Sequence, residues 1–420
     1  MEDSDGPVPD RSRRPRRAWR RRLVLVGAVV LASLCLLSAS AVWYVRSWYS
    51  GLHRIKIVHA ASLPQVTEPS NMAQRAVGEA TSTTHVTATP AVALGPSKAM
   101  NVLLTGSDGR SCIDPTSPYA GAFLGAGTNT GTRSDTIIVV RIDPTMKQLG
   151  LLSFPRDLWV TIAGTNHKDK INAAFKPDDP SPLIQTIEAN FGIRIDHYLG
   201  VDFCAFKSMV DAVGGLAVPF VYPTRDVHTG LNVAEPGCHA MSGDEALAYV
   251  RSRYYEYQID GHWVTDGTSD YGRIARQQDF VRRLVAKALA TGVTSPLTAK
   301  HLLDVAKSAD VRIDDGLSLT DMIRMGNSIR DLGLQHASSY RLEGQGRVIG
   351  GADVIVPDLT SSSAQAIIAF FRGDHPPTAT LTTTTTTPGS IVARTALAGP
   401  TTTAGPTNNR GIFPPADIPC

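Results

Sequence analysis

The sequence lacks several patterns that mark common enzyme classes. Its five cysteines show no CxxC or Cys/His spacing of the kind that zinc sites require. HExxH, the metalloprotease motif, and GxSxG, the serine-hydrolase motif, are both absent. The glycine-rich segment 121–131 fits neither the Walker A pattern nor the dinucleotide pattern. That segment is therefore either a phosphate cradle of another kind or a surface loop.

Basic residues are concentrated at one end instead of being spread over the chain. Residues 11–22 contain eight arginines in twelve positions, whereas all 420 residues together carry a net charge of only +3. A nucleic-acid-binding protein usually spreads its basic residues over a folded face. We therefore expect no nucleic-acid partner for the remaining, slightly acidic chain, which is long enough for a sizeable core.

The segment 23–45 contains no charged residue and is long enough to cross a bilayer as a helix. Arginine-rich sequence precedes it and aromatic residues cluster at 43–49, which predicts a cytoplasmic N-terminus and an extracytoplasmic body. The alternative is a cleaved signal peptide, favoured by the small residues at 38–41. In both cases the body is exported, which argues against cytoplasmic cofactors such as ATP or NAD.

Composition divides the chain into five parts. We predict a cytoplasmic Arg-rich tail at 1–22, a transmembrane helix at 23–45, an extracytoplasmic linker at 46–97, a folded domain at 98–373 and a disordered Thr/Pro-rich tail at 374–420. The linker and the tail are low in periodic apolar residues, so neither buries enough surface to fold. The tail either runs through a cell-wall layer or is dispensable.

Strand-like and helical patterns alternate within 98–373. Strands are predicted at Met100–Gly106, Ile137–Ile142 and Leu149–Phe154, and helices at Pro182–Phe191, Asp244–Arg251 and Tyr271–Ala290. The helix that ends at Arg251 follows a capping box at 242–245. This alternation predicts an α/β class domain, a layered α/β/α fold with a central mixed sheet, preceded by one transmembrane helix.

Two successive strands each carry an arginine and an aspartate at one end. Arg133 and Asp135 open the run 137–142, and Arg156 and Asp157 follow the run 149–154. A strand end holds its side chains at a fixed place on a rigid sheet, which suits a site for anions and a metal. We predict that the four residues belong to one phosphate-handling pocket.

Six arginines lie at element ends or beside apolar stripes, where a fully solvated arginine is not required. They are Arg133, Arg156, Arg251, Arg253, Arg273 and Arg276. The guanidinium fork matches phosphate oxygens, and the carboxylates of Asp108 and Asp135 are of the type that Mg²⁺ uses beside a diphosphate. The alternative is that Asp135 and Asp157 only form ion pairs with neighbouring arginines.

Export also permits disulfide bonds. We predict a bridge between Cys204 and Cys238, because both lie inside the folded domain. The alternative is that all five cysteines are free or buried thiols.

Several ordered motifs over about 100–290 resemble the LytR-CpsA-Psr (LCP) family of cell-wall enzymes. They are Asn101-Val-Leu-Leu-Thr-Gly-Ser-Asp108, Arg133-Ser-Asp-Thr136, Ser153-Phe-Pro-Arg-Asp157, Lys170-Ile-Asn172, Gly214-Gly215, Ala246-Leu-Ala-Tyr-Val-Arg-Ser-Arg253 and Asp270-Tyr-Gly-Arg-Ile-Ala-Arg-Gln-Gln278. The membrane anchor and external body fit the same family. The arginine-rich start and the Thr/Pro tail resemble an actinobacterial or mycobacterial member.

The resemblance implies a Mg²⁺-dependent phosphotransferase in the 98–373 domain. Such enzymes transfer a polyprenyl-diphosphate-linked glycopolymer, as a sugar-1-phosphate, to the 6-hydroxyl of a muramic-type sugar in peptidoglycan, and polyprenyl phosphate leaves. In an actinobacterial setting the polymer would be arabinogalactan.

The resemblance also implies roles for individual residues. Asp108 and Asp135 match the metal carboxylates, and Arg133, Asp135, Arg156 and Asp157 form the catalytic set, with Asp157 as a candidate base. The diphosphate-binding positions are Arg110, Lys170, Arg251, Arg253, Arg273 and Arg276. Two other functions remain open: an envelope protein or regulator that binds polyprenyl diphosphate without catalysis, and a hydrolase of the same diphosphate.

Overall fold

The structure, a computed structural model, describes residues 40, 43, 46, 47, 49–61, 98–109, 112, 114–124, 134–294, 304, 305, 311–333, 337–342, 344–374 and 420. The chain divides into two compact units, Met1–Gly51 and Leu52–Cys420. Among the described residues, no helix is both long enough and apolar enough to cross a membrane. The predicted transmembrane helix lies largely outside the described residues, so the anchor stays a prediction.

The second unit combines strands with helices. Its strands are β1 His53–Ile55, β2 Met100–Ser107, β3 Ser134–Asp143, β4 Gln148–Ser153, β5 Trp159–Thr161, β6 Lys168–Lys170, β7 His197–Asp202, β8 Leu216–Phe220, β9 Thr224–Asp226, β10 Leu231–Val233, β11 Gly237–Met241, β12 Glu256–Ile259, β13 His262–Thr265, β14 Val311–Asp314, β15 Ser338–Arg341, β16 Gly344–Ile349 and β17 Ala352–Pro357. Its α-helices are α1 Ala120–Leu124, α2 Ser181–Phe191, α3 Phe203–Ala212, α4 Gly243–Arg251, α5 Asp270–Thr294, α6 Leu319–Leu332 and α7 Ser362–Arg372. A 3₁₀ helix spans Ile171–Ala174.

A central sheet of seven strands has the order β1-β14-β7-β2-β3-β4-β15. Strand β2 runs parallel to β7 and antiparallel to β3, and β4 runs antiparallel to β3 and parallel to β15. The sheet is therefore mixed, and the prediction of an α/β domain with a central mixed sheet is confirmed.

Alternation along β3 separates the two faces of the sheet. Ile137 and Val139 belong to the core on one face, which also contains the apolar residues of α2 and α7. Ile138 and Ile142 belong to the core on the other face, against which α5 and α6 pack. Because successive side chains of a strand point to opposite faces, one apolar strand supplies both cores and the domain is layered α/β/α.

A third buried cluster lies outside these two cores. It joins α3, α4 and the paired strands β8 and β11, with Tyr249 and Phe280 among its fully buried rings. Helix α5 contributes Phe280 and Leu284 to this cluster and packs Val281 and Val285 against the central sheet. Helix α5 therefore connects this cluster with one of the two cores of the central sheet.

The predicted elements differ from the structure mainly at their ends. The linker predicted for 46–97 contains β1, which pairs in parallel with β14 at the edge of the central sheet. The helix predicted at Tyr271–Ala290 is longer in the structure and spans Asp270–Thr294. The last helix, α7, begins at Ser362, after Ser361 caps its first turn.

The predicted Cys204–Cys238 disulfide is wrong. Cys204 bonds to Cys112, and Cys238 bonds to Cys420. Cys204 lies in the first turn of α3, next to the segment that follows β2, whereas Cys238 lies on β11. Folding therefore brings Cys204 close to Cys112, which follows β2, and brings Cys238 close to Cys420, the last residue of the predicted tail.

Candidate functional site

The ends of three neighbouring strands lie close together at one end of the central sheet. Ser107, the last residue of β2, lies opposite Ser134, the first residue of β3. Ser153, the last residue of β4, pairs with Ile138 near the start of β3. Strand β3 is antiparallel to both β2 and β4, so its first residues lie next to the last residues of these two strands. The segments after β2, before β3 and after β4 therefore converge, although residues 108–133 separate β2 from β3 in the chain.

Asp135 lies between two arginines from distant parts of the chain. Its Oδ1 accepts a hydrogen bond from Nη1 of Arg156 at 2.5 Å, and its Oδ2 accepts one from Nη2 of Arg251 at 3.2 Å. The side chain of Asp135 is 10% exposed and that of Arg156 is 21% exposed. Asp135 therefore contacts Arg156 and Arg251 directly.

The surrounding cations determine the protonation state of Asp135. Burial by itself raises the pKa of this carboxyl, but the charges of Arg273, Arg156 and Arg251 outweigh burial and hold the pKa well below its ordinary value. In return, Asp135 raises the pKa of Arg156 against the opposing effect of burial. Asp135 is thus an ionised, acceptor-only oxygen ligand at neutral pH.

Arg251 is held by its own helix and by an aromatic ring. It is the last residue of α4, which begins after Ser242; the Ser242 side chain accepts a hydrogen bond from the Glu245 backbone, as the capping box predicted. Its guanidinium lies 4.3 Å from the ring centre of Phe203 and donates to the Ala122 carbonyl. These contacts fix a cation at the end of a helix, where positive charge is favoured.

Asp108 also lies close to Arg251. Its Oδ1 is 4.0 Å from Nη2 of Arg251, the nitrogen that also contacts Asp135. A Cβ at Gly109 would come within 2.0 Å of Oδ2 of Asp202. Only glycine therefore allows the chain after Asp108 to pass this close to the residue that caps α3.

Asp157 continues the chain of contacts away from Asp135. Its Oδ2 lies 3.3 Å from Nε of Arg156, and its Oδ1 lies 2.7 Å from Nζ of Lys170. Burial raises the pKa of Asp157, but the hydrogen bond from Lys170 and the charge of Arg156 lower it overall. Asp157 is therefore ionised and able to accept a proton, although its lowered pKa makes it a weak base.

Asp270 joins two more of the predicted arginines. Its Oδ1 lies 2.9 Å from Nη2 of Arg253, and its Oδ2 lies 2.9 Å from Nη2 of Arg273. Arg273 is buried, and this burial lowers its pKa while the charges of Asp270 and Asp135 act in the opposite direction. The two arginines therefore share one carboxylate, and the charge of Arg273 also acts on Asp135.

The other predicted residues lie elsewhere or outside the described part of the chain. Arg276 is buried against Tyr255, donates to the Ser252 carbonyl and lies 3.4 Å from Oδ2 of Asp266. Through the bond to Ser252, Arg276 stabilises the Arg251–Arg253 segment. Arg110 and Arg133 are outside the described residues.

Two supporting residues received no role in the sequence analysis. Oδ2 of the fully buried Asp226 accepts hydrogen bonds from Oγ of Ser252 and from the backbone of Arg253. Gln278 donates to Oγ of Ser153 and to the Tyr340 carbonyl. Gln278 stood inside a recognisable motif, whereas no local pattern distinguished Asp226 from an ordinary turn aspartate.

The carboxylates at this edge fit a metal that is shared with a substrate. Among the residues that the structure describes, no group of three or more His, Cys, Asp or Glu side chains is placed to hold a metal ion. Asp108 and Asp135 nevertheless both lie within 4.0 Å of one nitrogen, Nη2 of Arg251. Mg²⁺ commonly binds through one or two carboxylates plus substrate phosphate oxygens and water, so this pair fits such an ion.

Solved structures support the fold. A LytR-Csp2A-Psr enzyme from Actinomyces oris superimposes with a TM-score of 0.51 at 22% identity, covering 76% of this chain and 96% of that one. Protein gbs0355 from Streptococcus agalactiae gives a TM-score of 0.52 at 24% identity, covering 68% of this chain and 91% of that one. At these identities the similarity concerns the fold alone.

Sequence relatives match about half of the chain. The chain is 36% identical over 208 residues to "Probable cell wall biosynthesis protein LcpB" of Corynebacterium glutamicum, covering 49% of this chain and 46% of the relative. It is 31% identical over 214 residues to the polyisoprenyl-teichoic acid–peptidoglycan teichoic acid transferase TagV of Bacillus subtilis, covering 49% and 51%. The chain thus spans about half the length of these curated relatives. A match to the LytR_cpsA_psr family extends over residues 66–367, and the chain therefore belongs to that family.

Proposed function

We propose that this chain transfers a polyprenyl-diphosphate-linked glycopolymer to peptidoglycan and releases polyprenyl phosphate. The relative from Bacillus subtilis is named for a reaction of this kind with teichoic acid. The observation that carries the proposal is the contact of Asp135 with both Arg156 and Arg251, next to Asp108. It concentrates cations and oxygen ligands at one strand end, as a diphosphate requires.

The proposed step exchanges one phosphorus–oxygen bond for another. The acceptor 6-hydroxyl attacks the phosphorus that bears the sugar, and the bond from that phosphorus to the bridging oxygen breaks. Polyprenyl phosphate departs with the bridging oxygen and its negative charge. Arg156, Arg251 and Arg273 stabilise this charge, and a site of preorganised cations does so without reorganising during the step.

Mg²⁺ belongs to the proposal as a bound ion held by Asp108 and Asp135. When bound, it would neutralise charge on the phosphoryl oxygens. Both carboxylates lie beside Arg251, and the cations around Asp135 keep it ionised. Asp135 therefore offers ligand oxygens without first losing a proton.

Asp157 is the proposed acceptor of the hydroxyl proton. It is ionised, it contacts Arg156, and Arg156 in turn contacts Asp135. A weak base is sufficient in a loose phosphoryl-transfer transition state, because the attacking oxygen loses little of its proton before the leaving group departs.

The proposal also specifies the cellular location of the chain and the polymer that it transfers. The uncharged segment 23–45 would anchor the chain in the cell membrane with its N-terminus in the cytoplasm, and the catalytic domain would lie outside. The polymer would be arabinogalactan, consistent with similarity to a corynebacterial relative whose name refers to cell wall biosynthesis. Membrane attachment would keep the domain close to its lipid-linked donor.

Reconstituted transfer tests the proposal. The full chain in detergent is incubated with a polyprenyl-diphosphate arabinogalactan fragment, soluble peptidoglycan fragments and Mg²⁺, and the products are identified by mass spectrometry. We expect polyprenyl phosphate together with a phosphodiester between glycan and peptidoglycan, and loss of both products with EDTA. Arg156→Ala should lower turnover by about a hundredfold.

Product identity separates the alternatives. A hydrolase would release polyprenyl phosphate and free glycan phosphate even without an acceptor. A binding protein or regulator would retain the donor and release nothing. A teichoic acid donor that reacts faster than arabinogalactan would retain the reaction class and overturn the choice of polymer.

A further inference from the structure

A pocket of about 440 Å³ opens next to the Asp157 side of the site. Its volume lies in the range of about 300–1,000 Å³ that is usual for small-molecule sites. One wall comes from the site and the other from the hairpin formed by β16 and β17. We call it the hairpin pocket, and its polar and glycine lining residues are Asp157, Arg253, Asp270, Gly346, Arg347 and Asp353.

The hairpin is tied directly to the candidate base. The backbone N–H of Ile355 donates to the Asp157 carbonyl at 2.9 Å, and Leu158 forms a parallel bridge with Ile355. Within the hairpin, Gly346 pairs with Ile355 and Val348 pairs with Asp353. The pocket wall therefore has a defined position relative to Asp157.

The charge of the lining differs from that around Asp135. Asp157, Asp270 and Asp353 contribute three carboxylates, against the two guanidinium groups of Arg253 and Arg347. Arg156 and Lys170 also contact Asp157, and Arg273 contacts Asp270, so the charges at this pocket are paired and do not form a cluster of cations around one point. Paired carboxylates and guanidinium groups instead offer acceptors and donors for the hydroxyls of a neutral sugar.

The hairpin also presents apolar surface at the pocket. Val348 is 70% exposed, an unusual state for a large aliphatic side chain in a strand, and it lies beside the half-buried Ile355 in the lining. A pyranose ring has C–H faces as well as hydroxyl edges. Exposed aliphatic groups flanked by charged hydrogen-bonding groups match that mixture.

We propose that the hairpin pocket binds the sugar of the peptidoglycan acceptor, with Arg347 and Asp353 contacting its hydroxyls. This inference rests on the proposed transferase function and assigns the acceptor's place within it. Asp157 lines the pocket and contacts Arg156, which contacts Asp135. An acceptor in the pocket would thus present a hydroxyl between the candidate base and the diphosphate group.

Gly346 allows the pocket to be filled. It lies on an extended strand, and a Cβ added there meets no heavy atom within 4 Å. Gly346→Phe should therefore place a ring in the pocket without displacing the backbone. Asn232→Phe is the control, because Asn232 is exposed on strand β10 and does not line the pocket.

The experiment measures acceptor and donor separately on the full chain in detergent. Calorimetry gives the binding of a soluble N-acetylglucosaminyl-N-acetylmuramyl fragment and of polyprenyl diphosphate, and a transfer assay gives the KM for the acceptor. We expect Gly346→Phe to weaken acceptor binding and raise its KM by at least about tenfold, with donor binding unchanged. Arg347→Gln combined with Asp353→Asn should shift the same two quantities, and Asn232→Phe should shift neither.

The outcomes for the function and for the pocket are distinct. Absence of transfer by the unmodified chain refutes the transferase, while loss of fragment binding in Gly346→Phe still supports the pocket. Normal acceptor binding and KM in a folded Gly346→Phe protein overturns the inference. Weakened polyprenyl diphosphate binding in that variant also overturns it, because the pocket would then belong to the donor.

Discussion

Oδ1 of Asp135 lies 2.5 Å from Nη1 of Arg156, although 21 residues separate the two in the chain. The turn between β3 and β4 brings them together, because the end of β4 returns to the start of β3. Arg251, 116 residues beyond Asp135, contacts the other carboxylate oxygen. One carboxylate thus holds two cations at the edge of the sheet.

Replacing this carboxylate should affect activity and acid stability together. Asp135→Asn removes the charge that orients Arg156 and Arg251, so turnover should fall by about a hundredfold, or about 3 kcal/mol in the activation barrier. The folded-state pKa of Asp135 is lowered, so its stabilisation is present above the unfolded pKa of about 3.9 and is lost as the pH falls through the folded value. Thermal unfolding from pH 7 to pH 3 should therefore show a weaker acid dependence in the variant. Parallel curves for the two proteins would contradict this account.

The buried Asp226 should act on the site through the backbone. Asp226→Asn keeps the shape but weakens the hydrogen bonds from Ser252 and Arg253, each of which is worth about 1.5–3 kcal/mol when the acceptor is charged. We expect a lower free energy of unfolding in urea and a lower kcat with little change in acceptor KM. Asp178→Asn, a change at a largely exposed carboxylate distant in sequence, is the control. A variant with reduced stability but normal kcat would limit Asp226 to a structural role.

The Cys112–Cys204 bond should stabilise the segment that follows Asp108. It spans 92 residues, and closing a loop of that size contributes up to about 4 kcal/mol through the unfolded chain. Cys204→Ser should lower the free energy of unfolding by about 2–4 kcal/mol under oxidising conditions. Dithiothreitol should also destabilise Cys238→Ser, which retains this bond. An unchanged free energy of unfolding of Cys238→Ser on addition of dithiothreitol would contradict a stabilising Cys112–Cys204 bond.

His197 should make stability depend on pH at the other end of the sheet. Burial lowers its pKa, but the hydrogen bond and the charge of Asp314 raise it overall. A raised folded-state pKa gives stabilisation that is fully present below the unfolded pKa, about 6.5, and is lost as the pH rises through the folded value. The difference in melting temperature between the natural protein and His197→Gln should therefore shrink from pH 6 to pH 9. A constant difference in melting temperature over that range would show that His197 and Asp314 do not form a stabilising ion pair.

The main strands and helices were predictable because their apolar residues repeat with the correct period. Ile137–Ile142 alternates between two buried faces, and Ser242 and Glu245 mark the start of a helix that ends at Arg251. Strand β1 was missed because three residues in a polar setting carry too little periodicity, and only pairing with β14 makes them a strand. The need for glycine at position 109 and the pairing of the cysteines could not be predicted, because both result from close approach between segments that are distant in the chain.

The α/β alternation, the family motifs and the charged residues at two strand ends could be recognised in the sequence, because they depend on local periodicity and on residue type. Which of the charges meet depends on the folded arrangement. It joined Asp135 to Arg156 and Arg251, placed Arg276 against Tyr255, and brought the β16–β17 hairpin to Asp157. Sheet order and helix packing set these distances, and such long-range contacts leave no local pattern in the chain.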